Sequence, residues 1–408
     1  MQWRGTVQRR YRLAYLSGPI DAAKVYREWK GKQASDYFGT IYLVHLYSLL
    51  EEFAADGLII TTLPAPSART QLDHITVVNI PMPSAQAGAF YHLAMFWWAI
   101  RCVFEIIRYR SDAALLTAGQ DYFWLFRVLR LFGIRLLASL HCTLWPKFAK
   151  RKRHHRILTW LNGRLLYPAC DHIQGVSEEA VEQIVSCAPS LRARPSRFIA
   201  TYDPKRFEQV QPPSWPAPGD PFHLLYVGRI EVNKGVLDLA EVMRRLEEKN
   251  PGRFELDICG EGPAERQLQS LLEQSKLGNA VNVRGQCTTS VLAKLYAECH
   301  AVVVPTRSDF EEGTPKVAFE AVLNLKPVIM SAACPAITDV AAATVEPRVD
   351  DVDDYVRAIE SLADDPALYA EKSEAAAVCR LKHFDERRSY GAVLRTGLQP
   401  LLTATSRT

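Results

Sequence analysis

Two doubly wound α/β domains joined by a proline-rich linker are the fold this sequence predicts. Short apolar runs alternate with longer amphipathic segments, and the alternation occurs twice along the chain. Strands alternating with helices imply βαβ units and a parallel sheet. Strands buried on both faces of such a sheet read as unbroken apolar runs, as these do. Between the two rounds lies 209–220, QVQPPSWPAPGD, with four prolines and a glycine in twelve residues. Proline removes a backbone donor and fixes φ, so this segment suits neither a helix nor a central strand.

Taken in order, the strand candidates of the first round are 12–18, 57–62, 74–80, 113–119, 134–141 and 172–177. Those of the second are 223–229, 254–260, 280–285, 300–306 and 326–331, with helical patterns at 236–249 and 264–276. The predicted organisation is a first domain over 1–208, a linker over 209–220 and a second domain over 221–383. A helical tail over 384–408 could cross back to the first domain. The 408 residues fit two or three domains at about 150 residues each.

Composition narrows the class. With 48% hydrophobic and 23% charged residues the chain is ordinary globular protein, which excludes disorder, collagen and coiled coil. Its nine cysteines are scattered and odd in number, with no CxxC pair. That argues against a disulfide framework or zinc site and for a reducing cytosol. The opening MQWRGTVQRRYRLAYLSG puts charge where a secretory signal needs an apolar core. The longest apolar stretch, 87–107, is interrupted by His92, Arg101 and Glu105, so no membrane span is expected. Residues 1–210 hold 27 Lys/Arg against 16 Asp/Glu, a net of +11, and the remainder holds 22 against 29, a net of −7. Such asymmetry suggests that the first half meets something anionic.

Ligands of doubly wound sheets bind beyond the carboxyl ends of the strands. The strand at 223–227 ends in Gly228, and Arg229 and Lys234 follow before Gly235 and a helix. Two cations at such a turn suit a diphosphate, Arg as a planar fork and Lys as a point charge. No Walker GxxxxGK[ST] pattern is present. After the strand at 300–304 comes PTRSDFEEGTPKVAFEAV, 305–322. Here Thr314 is expected to cap a helix whose first residue is Pro315. The amides of Lys316 and Val317 would then form an anion site with the helix dipole. Glu312 precedes this helix and Glu320 lies on its second turn, so both carboxylates could face one ligand. Hydroxyl acceptors beside a phosphate nest describe a nucleotide-linked sugar better than a free nucleotide.

Together these segments resemble the retaining glycosyltransferases of family four, which have the GT-B fold: two Rossmann-like domains facing each other across a cleft. The family's Glu-x7-Glu signature is present as Glu312-GTPKVAF-Glu320, and its cation positions are matched by Arg229 and Lys234. Gly260-Glu261-Gly262-Pro263, Val281-x-Val283-x-Gly285 and Pro327-Val328-Ile329 fit the intervening pattern. The resemblance is strong over about 221–345 and looser in the first half, through 171–177 and Tyr202-Asp203. It implies that Arg229 and Lys234 bind the donor diphosphate, Glu320 the ribose hydroxyls and Glu312 the transferred sugar. Gly313, Thr314, Pro315, Lys316 and Val317 would line the phosphate end, with Gly228, Gly262 and Val283 also donor-binding. Gly18 would face the donor from the first domain, although the family often has a glycine pair there and this chain has Gly18-Pro19. His141 matches the family's histidine near the sugar, and a neutral histidine packed under a loop would give the same sequence.

The reaction implied is hexosyl transfer with retention from a UDP- or GDP-linked donor to a glycan or lipid-linked acceptor, in polysaccharide or glycolipid biosynthesis. Retaining hydrolases use a close carboxylate pair, one of them a nucleophile, and no such nucleophile can be picked out. Family mechanisms are usually argued as front-face displacement, with the protein positioning substrates and stabilising leaving-group charge. No Asp-x-Asp follows a strand and no metal is expected; the run Asp350-Asp351-Val352-Asp353-Asp354 reads as a solvated loop before a helix. From Lys147 to Arg156 the chain reads KFAKRKRHHR, six Lys/Arg in ten residues, beyond an aromatic segment containing Trp97 and Trp98. This combination points to the surface of an anionic membrane, hence a peripheral, cytoplasmic location. Nucleic acid is not expected, since no recognition motif accompanies the charge. Competing readings are a buried helix with a solvated basic face, a non-catalytic nucleotide-sugar or glycan binding protein, and a GT-B sugar-nucleotide epimerase.

Overall fold

The computed structural model describes residues 9–32, 41–83, 88–212 and 214–405. The first round of apolar runs forms β1 (Arg12–Leu16), β2 (Asp56–Thr61), β3 (Ala68–Leu72), β4 (Ile75–Asn79), β5 (Ala113–Leu116), β6 (Arg135–Leu140), β7 (His172–Gly175) and β8 (Ser196–Arg197). They make one sheet in the order β3-β4-β2-β1-β5-β6-β7-β8, parallel except where β3 runs against β4. The second round forms β9 (Phe222–Val227), β10 (Phe254–Cys259), β11 (Val281–Gly285), β12 (Ala301–Val304), β13 (Val328–Met330) and β14 (Thr344–Val345). This sheet is fully parallel, in the order β11-β10-β9-β12-β13-β14. The architecture is two doubly wound domains. Its strand order reverses between β9 and β12 in the second sheet, the place where such sheets bind ligands.

Each face of the first sheet is covered. One face packs against the helix Ala89–Arg108 and the 3₁₀ segment Gln120–Phe132, through Met95, Trp98, Cys102, Phe123 and Phe126. Trp98 is 2% exposed and its Nε1 donates to the Ile80 carbonyl at 3.1 Å. By length and composition alone the helix Ala89–Arg108 could cross a membrane. Its inner face is instead built into the sheet, so the helix lies along the domain. The opposite face of the sheet is covered by the helix Tyr42–Glu52 and by the chain's last helix, Tyr390–Thr405. Tyr390, Leu394 and Leu398 are buried there beside Leu46, Tyr47 and Leu50, so the tail completes the core of the first domain.

The domains are tied by two segments running side by side. The amide of Ile199 donates to the Arg388 carbonyl at 3.0 Å, and that of Tyr202 to the His383 carbonyl at 2.9 Å. Beside them the buried Asp339 of the second domain pairs with Arg197 of β8.

Candidate active site

The turn after β9 is held open by its backbone. Val232–Lys234 is one 3₁₀ turn, then Gly235 takes φ 73° and the helix Val236–Lys249 begins. A Cβ at Gly235 would lie 1.8 Å from the Pro305 carbonyl oxygen, so only glycine lets this turn close on the end of β12. The Arg307 amide adds a 3.0 Å bond to the Asn233 carbonyl, and the Arg307 guanidinium clamps Asp238 at 2.7 and 2.9 Å. The loops after two adjacent strands are thereby fixed against each other at the switch point.

This contact brings Lys234 and Glu312 together as an ion pair, with side chains 16% and 8% exposed. The Thr306 hydroxyl also donates to Glu312, at 3.4 Å, and the Lys234 ammonium sits 4.2 Å from the centre of the Phe310 ring. Arg229 is different: its side chain is 64% exposed and pairs with Glu231 at 2.7 Å. It stands on the rim of the turn. Tyr226 fixes this turn by donating from its hydroxyl to the Arg229 carbonyl at 2.8 Å.

Two local expectations need correction. The helix after Glu312 runs Lys316–Leu323, with Pro315 as its cap and no side-chain capping bond. Thr314 is not the cap, because its hydroxyl donates to the Gly313 carbonyl at 2.7 Å. Glu312 and Glu320 have separate protein partners. Glu320 is buried and accepts from the Tyr296 hydroxyl at 3.0 Å, and burial holds its carboxyl above the usual range. The acidic run is also not merely solvated: Asp350 accepts from the Ser308 amide at 3.0 Å, and Asp351 caps the helix Val352–Asp364.

The first domain reaches the same loop. A Cβ at Gly313 would lie 2.0 Å from the His141 carbonyl oxygen, and the Thr143 hydroxyl donates to the Glu312 carbonyl at 3.3 Å. His141, just past β6, packs at a tilt against Tyr42 with ring centres 4.5 Å apart, and the Lys316 ammonium lies 5.2 Å from that Tyr42 ring. Burial pushes the His141 imidazole down to about 3, with Lys316 adding to the effect, so it is neutral at working pH. Burial pushes the Lys316 ammonium down to about 8. Beside them His155 bridges Asp121 at 3.1 Å and, across the domains, Glu311 at 3.7 Å. The Asp121 carboxylate holds His155 above its usual range, while burial pushes Glu311 up to about 6.

The other sequence-selected residues have backbone or packing settings of their own. Gly228 bonds to the Cys259 carbonyl at 2.9 Å, and Gly262 packs under the Ile230 carbonyl. Val283, on edge strand β11, and Val317 are half-buried against the second-domain cores. Gly18 follows β1, and a Cβ there would meet nothing within 4 Å, so packing does not demand glycine. Phe310, Tyr296, Thr143 and the trio Asp121, His155 and Glu311 were missed by sequence reasoning. Only Phe310 and Glu311 carried a signal, by adjoining the carboxylate motif.

Two doubly wound domains, with a turn carrying two cations opposed by a carboxylate loop between them, make up the GT-B architecture of glycosyltransferases. Residues 207–378 match the family described as Glycosyl transferases group 1. The chain is 31% identical over 385 residues to the glycogen synthase of Mycobacterium tuberculosis H37Rv, spanning 84% of this chain and 86% of that one. It belongs to the group 1 glycosyl transferases. Among solved structures it is similar in fold to the sucrose-phosphate synthase of Thermosynechococcus elongatus, with a TM-score of 0.67 at 17% identity over 98% of this chain and 100% of that one. A second is Anabaena HepE in complex with UDP, with a TM-score of 0.62 at 15% identity over 97% and 100%.

Proposed function

We propose that this glycosyltransferase moves a hexosyl group, with retention, from a UDP- or GDP-linked sugar to a glycan or lipid-linked acceptor in polysaccharide or glycolipid assembly. The observation that carries the reading is the meeting of Lys234 and Glu312 at the switch point of the second sheet, with Arg229 at its rim. The relative named glycogen synthase and the fold neighbour holding UDP support a nucleotide-linked hexose.

In this reading the bond from the anomeric carbon to the diphosphate oxygen breaks as the acceptor oxygen bonds to the same face. The acceptor's proton passes to the departing phosphate. Arg229 and Lys234 take up the charge growing on that phosphate, which a positioned cation does without reorganisation. They fill the role a divalent ion would otherwise have, and the proposed reaction runs without one. Glu312, released from Lys234 as the diphosphate binds, accepts from the sugar hydroxyls. Glu320 serves the ribose, and neutral His141 can donate to the sugar without adding charge.

The test is nucleoside diphosphate release from a panel of UDP-, GDP- and ADP-sugars in excess EDTA. One donor class should turn over, and Arg229→Ala should reduce that turnover at least tenfold. Turnover restored only by Mg²⁺ or Mn²⁺ would contradict the metal-free reading, and full activity in the variant would contradict the donor site.

A further inference from the structure

The helix Ala89–Arg108 carries apolar residues on its outer stripe as well as its inner face, with Arg101, Glu105 and Arg108 beside that stripe. Its inner face is core, yet Phe90, Leu93, Trp97, Ile100 and Phe104 are exposed, Phe90 at 78% and Trp97 at 57%. Their spacing of three and four residues places them on one outer stripe. Five large apolar side chains on one uncovered stripe are more than scattered surface hydrophobics. Trp97, not Trp98, is therefore the tryptophan available to a partner.

Neighbouring elements of this layer also expose apolar residues. The 3₁₀ segment Gln120–Phe132 packs on the same face of the sheet and exposes Leu131 at 84%, with Phe132 beside it in sequence. The helix Arg153–Leu161 exposes Ile157 and Trp160. Its start touches the start of the helix Ala89–Arg108, since the His92 and His154 rings are 5.4 Å apart. At that junction lie Lys150, Lys152, Arg153 and Arg156, all exposed. Arg151 is excluded from this set because it stacks 3.7 Å over the Trp145 ring. Exposed large apolar side chains on three elements of one layer, rimmed by cations, mark an interaction site. Exposed tryptophans beside lysines and arginines, on a domain half of net +11, are complementary to anionic headgroups over an acyl interior.

We infer that this outer face of the first domain docks flat on an anionic lipid bilayer. The apolar stripe enters the headgroup boundary, as interfacial helices do, and the four cations meet the headgroups. The same helix Arg153–Leu161 touches the loop before the helix Lys316–Leu323 through His155 and Glu311, so the bilayer lies beside the interdomain cleft. This inference uses no part of the donor-site reading, because binding is measured without turnover.

The test is flotation of the full chain with phosphatidylcholine vesicles containing about 30% phosphatidylglycerol, against pure phosphatidylcholine. Binding should require the anionic lipid and fall steeply between about 0.1 M and about 1 M salt, as the Debye length shrinks. Two variant sets should each weaken it at least tenfold: Trp97→Ser with Leu131→Ser and Trp160→Ser, and Lys150→Ser with Lys152→Ser, Arg153→Ser and Arg156→Ser. Tryptophan emission of the unsubstituted chain should shift blue with anionic vesicles, and Trp97→Phe should reduce that shift; this reading does not depend on the multiple variants folding. No binding by the unsubstituted chain would overturn the inference. So would binding indifferent to both sets, or a solution dimer without vesicle binding that the apolar set dissociates, which would mean a second copy covers the face.

Discussion

At the scale of single residues, the two cations selected together have different surroundings and should fail differently. Arg229→Ala removes an exposed pair, worth about 0–1 kcal/mol to folding, so its loss should appear in turnover alone. Lys234→Ala leaves the carboxylate of Glu312 buried without its partner, a change that costs about 3–5 kcal/mol when a buried pair is broken. We expect that variant to lose both activity and stability, and Lys234→Ala with Glu312→Gln to regain stability but not activity. Chemical denaturation beside a turnover assay separates the two. His141 supplies a pH prediction. Its folded-state pKa is depressed, so its contribution to stability is present above pH 6.5 and is lost as pH falls toward about 3. There the unfolded chain binds a proton that the folded one refuses. His141→Gln should flatten the acid limb of the stability curve by up to about 1.4 kcal/mol per pH unit, and an unchanged slope would show that the imidazole is not buried neutral. The sequence exposed residue types and spacing at the site but not partners: nothing in Glu-x7-Glu says that one carboxylate meets Lys234 and the other Tyr296.

Elements were legible where burial leaves an unbroken apolar run, as in HITVVNI, which became β4, and HAVVVPT, which became β12. They were not legible where it does not. Strand β3, ARTQL, is an exposed antiparallel edge without an apolar run, while β8 and β14 are two residues each. The cap at Thr314 was misplaced by one residue because the Thr314 hydroxyl bonds backward to Gly313, a choice composition does not reveal. The exposed stripe of the helix Ala89–Arg108 was hidden for a related reason, since apolar residues on both faces give no single apolar stripe to read as the inner one. Two predictions belong here. Gly313→Ala puts a methyl against the His141 carbonyl, so it should wedge the two domain loops apart and cut turnover at least tenfold, with Tm little changed. Leu394→Ala, in the last helix, should destabilise the first domain by about 2–5 kcal/mol, as a buried leucine does. A loss below about 0.5 kcal/mol, the scale of a surface substitution, would show that the tail is not part of that core.

For the whole molecule, the division of labour follows the charge division. The second domain carries the turn of Arg229 and Lys234 and the carboxylate loop, and the positively charged first domain offers the opposite wall of the cleft and the apolar face. Doubly wound topology was legible because the βαβ alternation recurs on either side of a proline-rich break. The closing of the two loops on each other was not, since Thr143 and Glu312 are 169 residues apart in sequence. Glycosyl transfer with retention from a nucleotide-linked sugar is tested most directly by proton NMR of the product formed in excess EDTA from the active α-linked donor, read at the anomeric position. An α-linked product is expected, formed with release of one nucleoside diphosphate per transfer and diminished by Arg229→Ala. A β-linked product would contradict retention.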